Sequence, residues 1–365
     1  MKKLIYFSSL LALAVCGRAF SLEDRVDATE KTKGYKQGYG VENKLSAICN
    51  APARYMGSWE FFVTGNFLYW QVKETGLTVA ETSNSSTSIH GKMTIERLHH
   101  EYKPGMRAAL GFNFEKDQWV GTVNYTRFHT TQHRHVKPTA HAQKMSPLWL
   151  KYDNHNTSDS SFSYAKGKWS LKLDLVDFDL SRPFYTGRDL TINFFGGLRG
   201  GWITQHYVAK YIEETLHTTP QNRSVEKSWL LGGRGGFNGR WLIGAGFRFF
   251  SDVAINLFYQ KMTVHVKEED TTNPDVLYLN EKSRNGLITP NIDCIMGLGY
   301  GTYFGDKKWH FDISLGYELQ AIFNQNYMRE ENNKLNAAGT FRGYVKETGT
   351  TLGLHGITAA CRLDF

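Results

Sequence analysis

From Trp309 to Gln320 apolar and polar side chains alternate without exception. Trp309, Phe311, Ile313, Leu315, Tyr317 and Leu319 share one face, and His310, Asp312, Ser314, Gly316, Glu318 and Gln320 the other. A period of two is that of a β-strand with unlike environments on its two sides. The pattern recurs along the chain. Trp59, Phe61, Val63, Phe67 and Tyr69 stand opposite Glu60, Thr64 and Asn66; Met106, Ala108, Leu110, Phe112 and Phe114 stand opposite Arg107 and Asn113. After the turn at 115–118, Trp119, Gly121, Val123 and Tyr125 return as a hairpin partner. Trp169, Leu171, Leu173 and Leu175 read as the apolar face of a further strand, with Lys172 and Asp174 opposite. Leu190, Ile192, Phe194, Leu198 and Trp202 follow, against Asn193 and Arg199. One parity then holds from Trp229 to Phe249, with Arg234 and Arg248 opposite, which predicts one long strand through Asn238-Gly239, with a hairpin there as the alternative, and a turn at Ser251-Asp252.

Val253, Ile255, Leu257 and Tyr259 form the next apolar face, then Ile292, Cys294, Met296, Leu298 and Tyr300 opposite Asp293. The last strand carries Ile357, Ala359, Cys361, Leu363 and Phe365 against Thr358, Arg362 and Asp364. Leu352 and Leu354 fall on the other parity, which predicts a bulge near His355-Gly356. Short turns are expected near 115–118, 182–188, 251–252 and 304–308, and long polar connections near 75–102, 130–166, 210–227, 268–284 and 324–347. One such strand would fit a soluble sandwich. The repetition, with alternating short and long connections, predicts an all-β fold: a transmembrane antiparallel up-and-down β-barrel of about ten (10–12) strands, with short periplasmic turns and long extracellular loops.

The N-terminus sets the compartment. Lys2 and Lys3 precede an apolar run from Leu4 to Val15 and then Gly17-Arg18-Ala19, the pattern of a cleaved secretory signal. Cys16 makes a poor lipidation site because Val15 before it is not small. The expected organisation is a signal peptide over 1–19, a periplasmic segment over 20–56 and the barrel over 57–365. Removing residues 1–19 takes Lys2, Lys3 and Arg18 from 43 basic residues and leaves 40 against 35 acidic, a surplus of five without a basic block. Nucleic acid is therefore not an expected partner. Mean hydropathy is -0.43 and no interior apolar run is long enough for a helical span, so membrane contact falls to the strands. Cys49, Cys294 and Cys361 are too few and too dispersed for a disulfide framework or a zinc motif.

Several segments carry a family resemblance: Gly57-Ser58-Trp59-Glu60-Phe61-Phe62, Pro104-Gly105-Met106-Arg107 with Gly111-Phe112-Asn113, Ser181-Arg182-Pro183-Phe184-Tyr185, Phe195-Gly196-Gly197-Leu198-Arg199-Gly200-Gly201-Trp202-Ile203, Gly316-Tyr317-Glu318-Leu319-Gln320 with Asn324-Gln325-Asn326, and Gly356-Ile357 with Arg362-Leu363-Asp364-Phe365. In content and order they resemble the major outer membrane protein-like porins of Legionella and chlamydia-related bacteria. The resemblance implies a pore-forming barrel of the outer membrane, and for some members disulfide cross-linking at the surface. In this cysteine-poor chain Cys49 is the candidate for an intermolecular disulfide.

Lumen chemistry follows from parity. The candidate pore-lining residues are Glu60, Arg107, Lys172, Asp174, Arg199, Arg234, Arg248, Asp293, Asp312, Glu318, Arg362 and Asp364. Charges of both signs either line a water-filled pore or pair across the interior and plug it. The expected function is passive diffusion of ions and small hydrophilic solutes; the competing one is a plugged barrel acting as a surface structural protein or adhesin. Histidines 129, 133 and 135 are weak metal candidates, expected in an outer loop. No Gly-x-Ser-x-Gly elbow or other catalytic pattern is present, so no enzymatic activity and no cofactor is expected. Trp59, Trp119 and Trp309 read as interfacial anchors. Candidate partners are outer-membrane lipid and lipopolysaccharide, the barrel-assembly machinery through Phe365, small hydrophilic solutes and further copies of the chain in a homo-oligomer.

Overall fold

The computed structural model describes residues 60–83, 93–114, 119–138, 144–150, 162–187, 189–214, 217–273, 277–304, 309–328, 330–335, 341–346 and 349–365. The signal peptide, the 20–56 segment, Cys49, Trp59 and His141 lie outside them. The strands are β1 (Glu60–Glu74), β2 (Thr78–Ser83), β3 (Met93–Arg97), β4 (Tyr102–Asn113), β5 (Val120–Val136), β6 (Lys144–Pro147), β7 (Phe162–Thr186), β8 (Leu190–Glu213), β9 (Pro220–Gly244), β10 (Phe247–Asp270), β11 (Leu277–Phe304), β12 (Trp309–Asn326), β13 (Glu330–Leu335), β14 (Phe341–Lys346) and β15 (Thr350–Asp364). Ten of them, in the order β1-β15-β12-β11-β10-β9-β8-β7-β5-β4, form a closed antiparallel barrel. β1 pairs with both β4 and β15, so no edge is left open to lipid. β3-β2-β6 and β13-β14 are small separate sheets.

The outer wall carries the expected apolar belt. Phe67 on β1, Leu110 on β4, Leu198 on β8, Ile255 on β10 and Leu315 on β12 are all exposed. Rings bound it at both ends: Trp119, Tyr185, Trp241 and Trp309 beside the short turns, and Tyr69, Tyr125, Trp202, Trp229, Tyr259 and Tyr317 toward the long connections. Two aromatic girdles around an apolar band are the signature of a barrel seated in a membrane. The interfacial roles expected of Trp119 and Trp309 fit this placement. Phe365 closes the wall by exchanging backbone hydrogen bonds with Phe61, at 3.0 and 3.1 Å.

The long strands explain where the alternation misleads. Residues 210–227 and 268–284, expected as long loops, are mostly strand: β8 runs to Glu213, β9 begins at Pro220, β10 runs to Asp270 and β11 begins at Leu277. These strands rise past the outer girdle, and there the environments reverse. Trp169, Leu171, Leu173 and Leu175, expected to face lipid, are buried inside the barrel at 2% exposure or less. Lys172 and Asp174, expected in the pore, point outward. Beyond the membrane, water lies outside and the packed side chains lie within, as in a soluble protein. Leu352 and Leu354 obey the same rule. They face the lumen, and β15 keeps one register with β1 through His355-Gly356, so the expected bulge is absent.

The turn expected at Ser251-Asp252 lies instead at Ala245-Gly246, both with positive φ (50° and 86°). A two-residue turn of this kind suits a hairpin. By itself it would reverse the pairing parity, but a register shift between Phe247 and Arg248 restores it. Trp241 therefore pairs with Phe249, and the parity continues from one strand into the next.

Candidate functional site

The lumen side chains form three levels. Nearest the short turns, Arg240 pairs with Asp252, Arg248 with Asp312, and Asp364 with both His310 (2.8 Å) and Arg362 (2.5 Å). Arg240, Asp252 and Arg362 keep 28–31% of their side-chain surface, so water reaches this vestibule. Arginines here lie on lumen-facing rings: Arg362 stands 3.7 Å from the centre of Phe62 and Arg240 5.4 Å from that of Phe250.

Midway, a charged layer crosses the barrel inside the apolar belt. Arg199 on β8 grips Asp177 on β7 with two bonds, 2.5 and 2.7 Å long. Its Nη1 donates to Asp293 on β11 at 2.6 Å and to Asn291 at 3.2 Å. That bond spans a chord of the barrel over β9 and β10. Asp293 Oδ2 also accepts from Arg234 at 2.6 Å and from Asn256 at 3.3 Å, while Arg234 approaches Asp179 at 3.2 Å. On the other side Arg107 of β4 reaches Glu318 of β12 at 2.7 Å, and Thr358 donates to the same carboxylate at 2.8 Å. Buried charges persist only when paired and hydrogen-bonded in this way.

Glycines stand beside the arginines where neighbouring strands come too close for a side chain. Gly197 and Gly201 flank Arg199 on the lumen side of β8, and Gly232 is its cross-strand partner on β9. Gly232 and Gly236 likewise flank Arg234. A Cβ on Gly232 would lie 1.9 Å from the Leu257 carbonyl oxygen, and one on Gly236 2.0 Å from that of Val253. Neighbouring backbone thus occupies the space a side chain would need, as at a tight barrel bend.

Outward of this layer the lumen divides into two sectors. One is apolar: Trp70, Phe128, Trp169, Leu171 and Ile203 pack with Val79 and Trp149. The segment that enters the barrel mouth is held by its backbone, since Tyr207 and Trp149 donate to the Thr78 carbonyl at 2.6 and 2.7 Å and Tyr211 to that of Val79 at 2.7 Å. The other sector, along β9 to β12, is a polar seam. Gln260 donates to Ser228 (2.9 Å) and Gln325 (3.0 Å) and accepts from Thr289 (2.9 Å). Gln325 donates in turn to Glu226 (3.4 Å), and Gln205 donates to both Glu226 and Glu74. Glu74 and Glu226 lie outward of the girdle, outside the membrane-spanning segments. Burial pushes both pKa values up, that of Glu226 to about 8, and the neighbouring Glu226 charge adds to the rise at Glu74.

Of the residues nominated from parity, Arg107, Arg199, Arg234, Arg248, Asp293, Asp312, Glu318, Arg362 and Asp364 meet in this interior. Lys172 and Asp174 do not, and the Glu60 side chain lies outside the described set. Histidines 129, 133 and 135 project outward from β5 rather than from a loop; His129 bonds to Asp174 at 3.1 Å and His135 to Tyr164. Among the described residues no group of three or more potential metal ligands converges. Sequence reasoning missed Asp177 and Asp179, which share a parity with the misassigned Trp169-to-Leu175 face. It also missed the pair Arg240 and Asp252, although the parity of Arg248 would have placed both inside.

A family model described as the Legionella pneumophila major outer membrane protein precursor matches residues 55–365. The chain belongs to this family. It is accordingly an integral β-barrel protein of the bacterial outer membrane. No curated protein matches the chain. Among solved structures, the Escherichia coli outer membrane protease OmpT aligns at 6% identity and a TM-score of 0.41, over 86% of this chain and 99% of that one. A Pseudomonas aeruginosa FadL homologue aligns at 6% and 0.28, over 85% and 91%. A major outer membrane protein from Thermus thermophilus aligns at 10% and 0.26, over 84% and 99%.

Proposed function

We propose that this member of the family is a gated channel of narrow bore for ions and small hydrophilic solutes, the present structure being its closed state. The observation that supports it most is the polar seam. Asn256, Thr289, Asn291, Gln260, Gln325 and Glu226 are each 0–1% exposed; Asn256 and Asn291 hydrogen-bond to each other and to the charged layer, and Thr289, Gln260, Gln325 and Glu226 form a second hydrogen-bonded group at the next lumen positions toward the outer mouth. Burying so much polar surface is costly, and a purely structural plug is better made of apolar groups. On the periplasmic side of the charged layer lies the vestibule, where Arg240, Asp252 and Arg362 keep 28–31% of their side-chain surface. Water and ions entering the seam would replace one set of polar partners with another.

Filling the seam tests this directly. Liposomes holding the refolded wild-type protein are expected to leak small monovalent salts, and Gln260→Leu with Gln325→Leu to bring the leak down to the protein-free background. Equal leakage from the two proteins would show that the path does not follow the seam. A second reading, a permanently closed barrel serving surface structure or adhesion through its outer loops, is favoured by the apolar sector around Trp70 and Trp169. It requires wild-type liposomes to be as tight as protein-free ones.

A further inference from the structure

Immediately outward of the upper aromatic girdle, the wall exposed to the surroundings turns basic on one side of the barrel. Two residues beyond Tyr125, Trp229 and Tyr259, the same outward parity places Arg127, Lys227 and Lys261, all exposed. Lys172 on β7 is aligned with Thr204 of β8, which is aligned with Lys227 of β9. Lys261 of β10 stands directly beside Trp229. Further out the band continues with Lys168, Arg223, Lys282 and Arg284, again exposed. None of these cations forms an ion pair among the described residues. The two acids on the same band are already engaged: Asp174 accepts from Tyr125 at 2.8 Å and meets His129, and Glu269 pairs with Lys267 at 2.5 Å.

The band is not a ring. Across the barrel, the outward positions Ala321 and Phe323 of β12 and Gly353 and His355 of β15 carry no lysine or arginine, and the cation exposed beside them is Lys73 of β1, aligned with Gly353. A uniform requirement for solubility would not select one sector. Neighbouring strands lie about 4.8 Å apart, so Lys172 and Lys227, two strands apart, stand about 10 Å from each other along the wall. The girdle rings and Leu231 supply an apolar wall for acyl chains just below. A ligand that fits must therefore be amphipathic, with more than one anionic group at the height of a headgroup and chains directed into the membrane.

We propose that the outward face of β5 and β7 to β11 is a seat for phosphorylated glycolipids of the outer leaflet, with Lys172, Lys227 and Lys261 holding the phosphates. A soluble anion would gain nothing from the girdle beneath. A lipid with a neutral head would leave the cations without partners.

The test uses the refolded full-length protein in detergent, with diphosphorylated lipid A, its dephosphorylated form and phosphatidylglycerol as probes, and bound lipid measured by native mass spectrometry. Wild type is expected to retain lipid A at least about tenfold better than either of the other two. The triple variant Lys172→Gln, Lys227→Gln, Lys261→Gln is expected to lose at least about tenfold of that retention, and Lys73→Gln on the opposite sector to lose none. A shift in gel mobility between unboiled and boiled samples verifies that each barrel is folded. Undiminished lipid A retention by the folded triple variant would overturn the proposal. So would equal retention of the dephosphorylated form, or of phosphatidylglycerol, which would mark a general anionic surface.

Discussion

Arg199→Met is expected to destabilise the folded barrel by about 3–5 kcal/mol, the range for removing one partner from a buried ion-pair network. Arg199 is 4% exposed and holds Asp177 and Asp293 together across the lumen. Without it Asp177 loses both short bonds, and Asp293 keeps Arg234 as its one cation. Urea unfolding in lipid vesicles, followed by tryptophan fluorescence, measures the change. Lys172→Met is the internal control, because Lys172 carries the same charge but faces outward. It should shift stability by no more than about 0.5 kcal/mol. A loss at Lys172 as large as that at Arg199 would return β7 to the orientation its alternation first suggests.

The second large effect is expected at Gly232. A Cβ there would meet the Leu257 carbonyl oxygen at 1.9 Å, and the obstacle is backbone, which cannot rotate away. Gly232→Ala should cost on the order of 3 kcal/mol or prevent closure of the barrel. The adjacent Gly233 faces outward with nothing within 4 Å of its would-be Cβ. Gly233→Ala should therefore fold like wild type, within about 0.5 kcal/mol. The fraction of protein that keeps the fast-migrating folded form on unboiled gels separates the two variants. Equal folding yields would mean that the bend between β9 and β10 is looser than this packing implies.

These two sites show what the linear pattern can and cannot carry. Within the membrane belt the alternation is a direct readout, because lipid lies on one side and polar lumen on the other. The face from Trp309 to Leu319 and the charged partners Arg107, Asp312 and Glu318 were legible for that reason. Above the girdle the contrast reverses, and the apolar parity changes without any register shift. On β7 it passes from Trp169, Leu171, Leu173 and Leu175 to Val176 and Phe178; on β15 it passes from Leu352 and Leu354 to Ile357. Such a switch in an unbroken strand marks the height at which the strand leaves the membrane. A bulge is the other explanation for the same switch, and sequence alone does not separate the two. Between β9 and β10 the opposite case arises, since a tight turn and a one-residue shift cancel and leave the parity intact.

Partnership across the lumen was not legible at all. Arg199 and Asp293 are 94 positions apart, and their contact follows from strand order and stagger rather than local pattern. The glycines around Arg199 were visible as part of a family motif. Their purpose, admitting the closely approaching backbone of the adjacent strand, emerged only from the three-dimensional packing. The polar seam was hidden because Gln260, Thr289 and Gln325 are unremarkable residues singly and meaningful only as a connected line.

Single-channel recording in planar bilayers tests the closed, polar barrier most directly, using wild type and Arg199→Met under one salt gradient. Wild type is predicted to rest closed with brief, small current steps. The variant should open at least about ten times more often, as loss of ~1.4 kcal/mol from the closed state alone would produce. Current steps absent from both proteins, or a large conductance permanently open in wild type, would contradict the account.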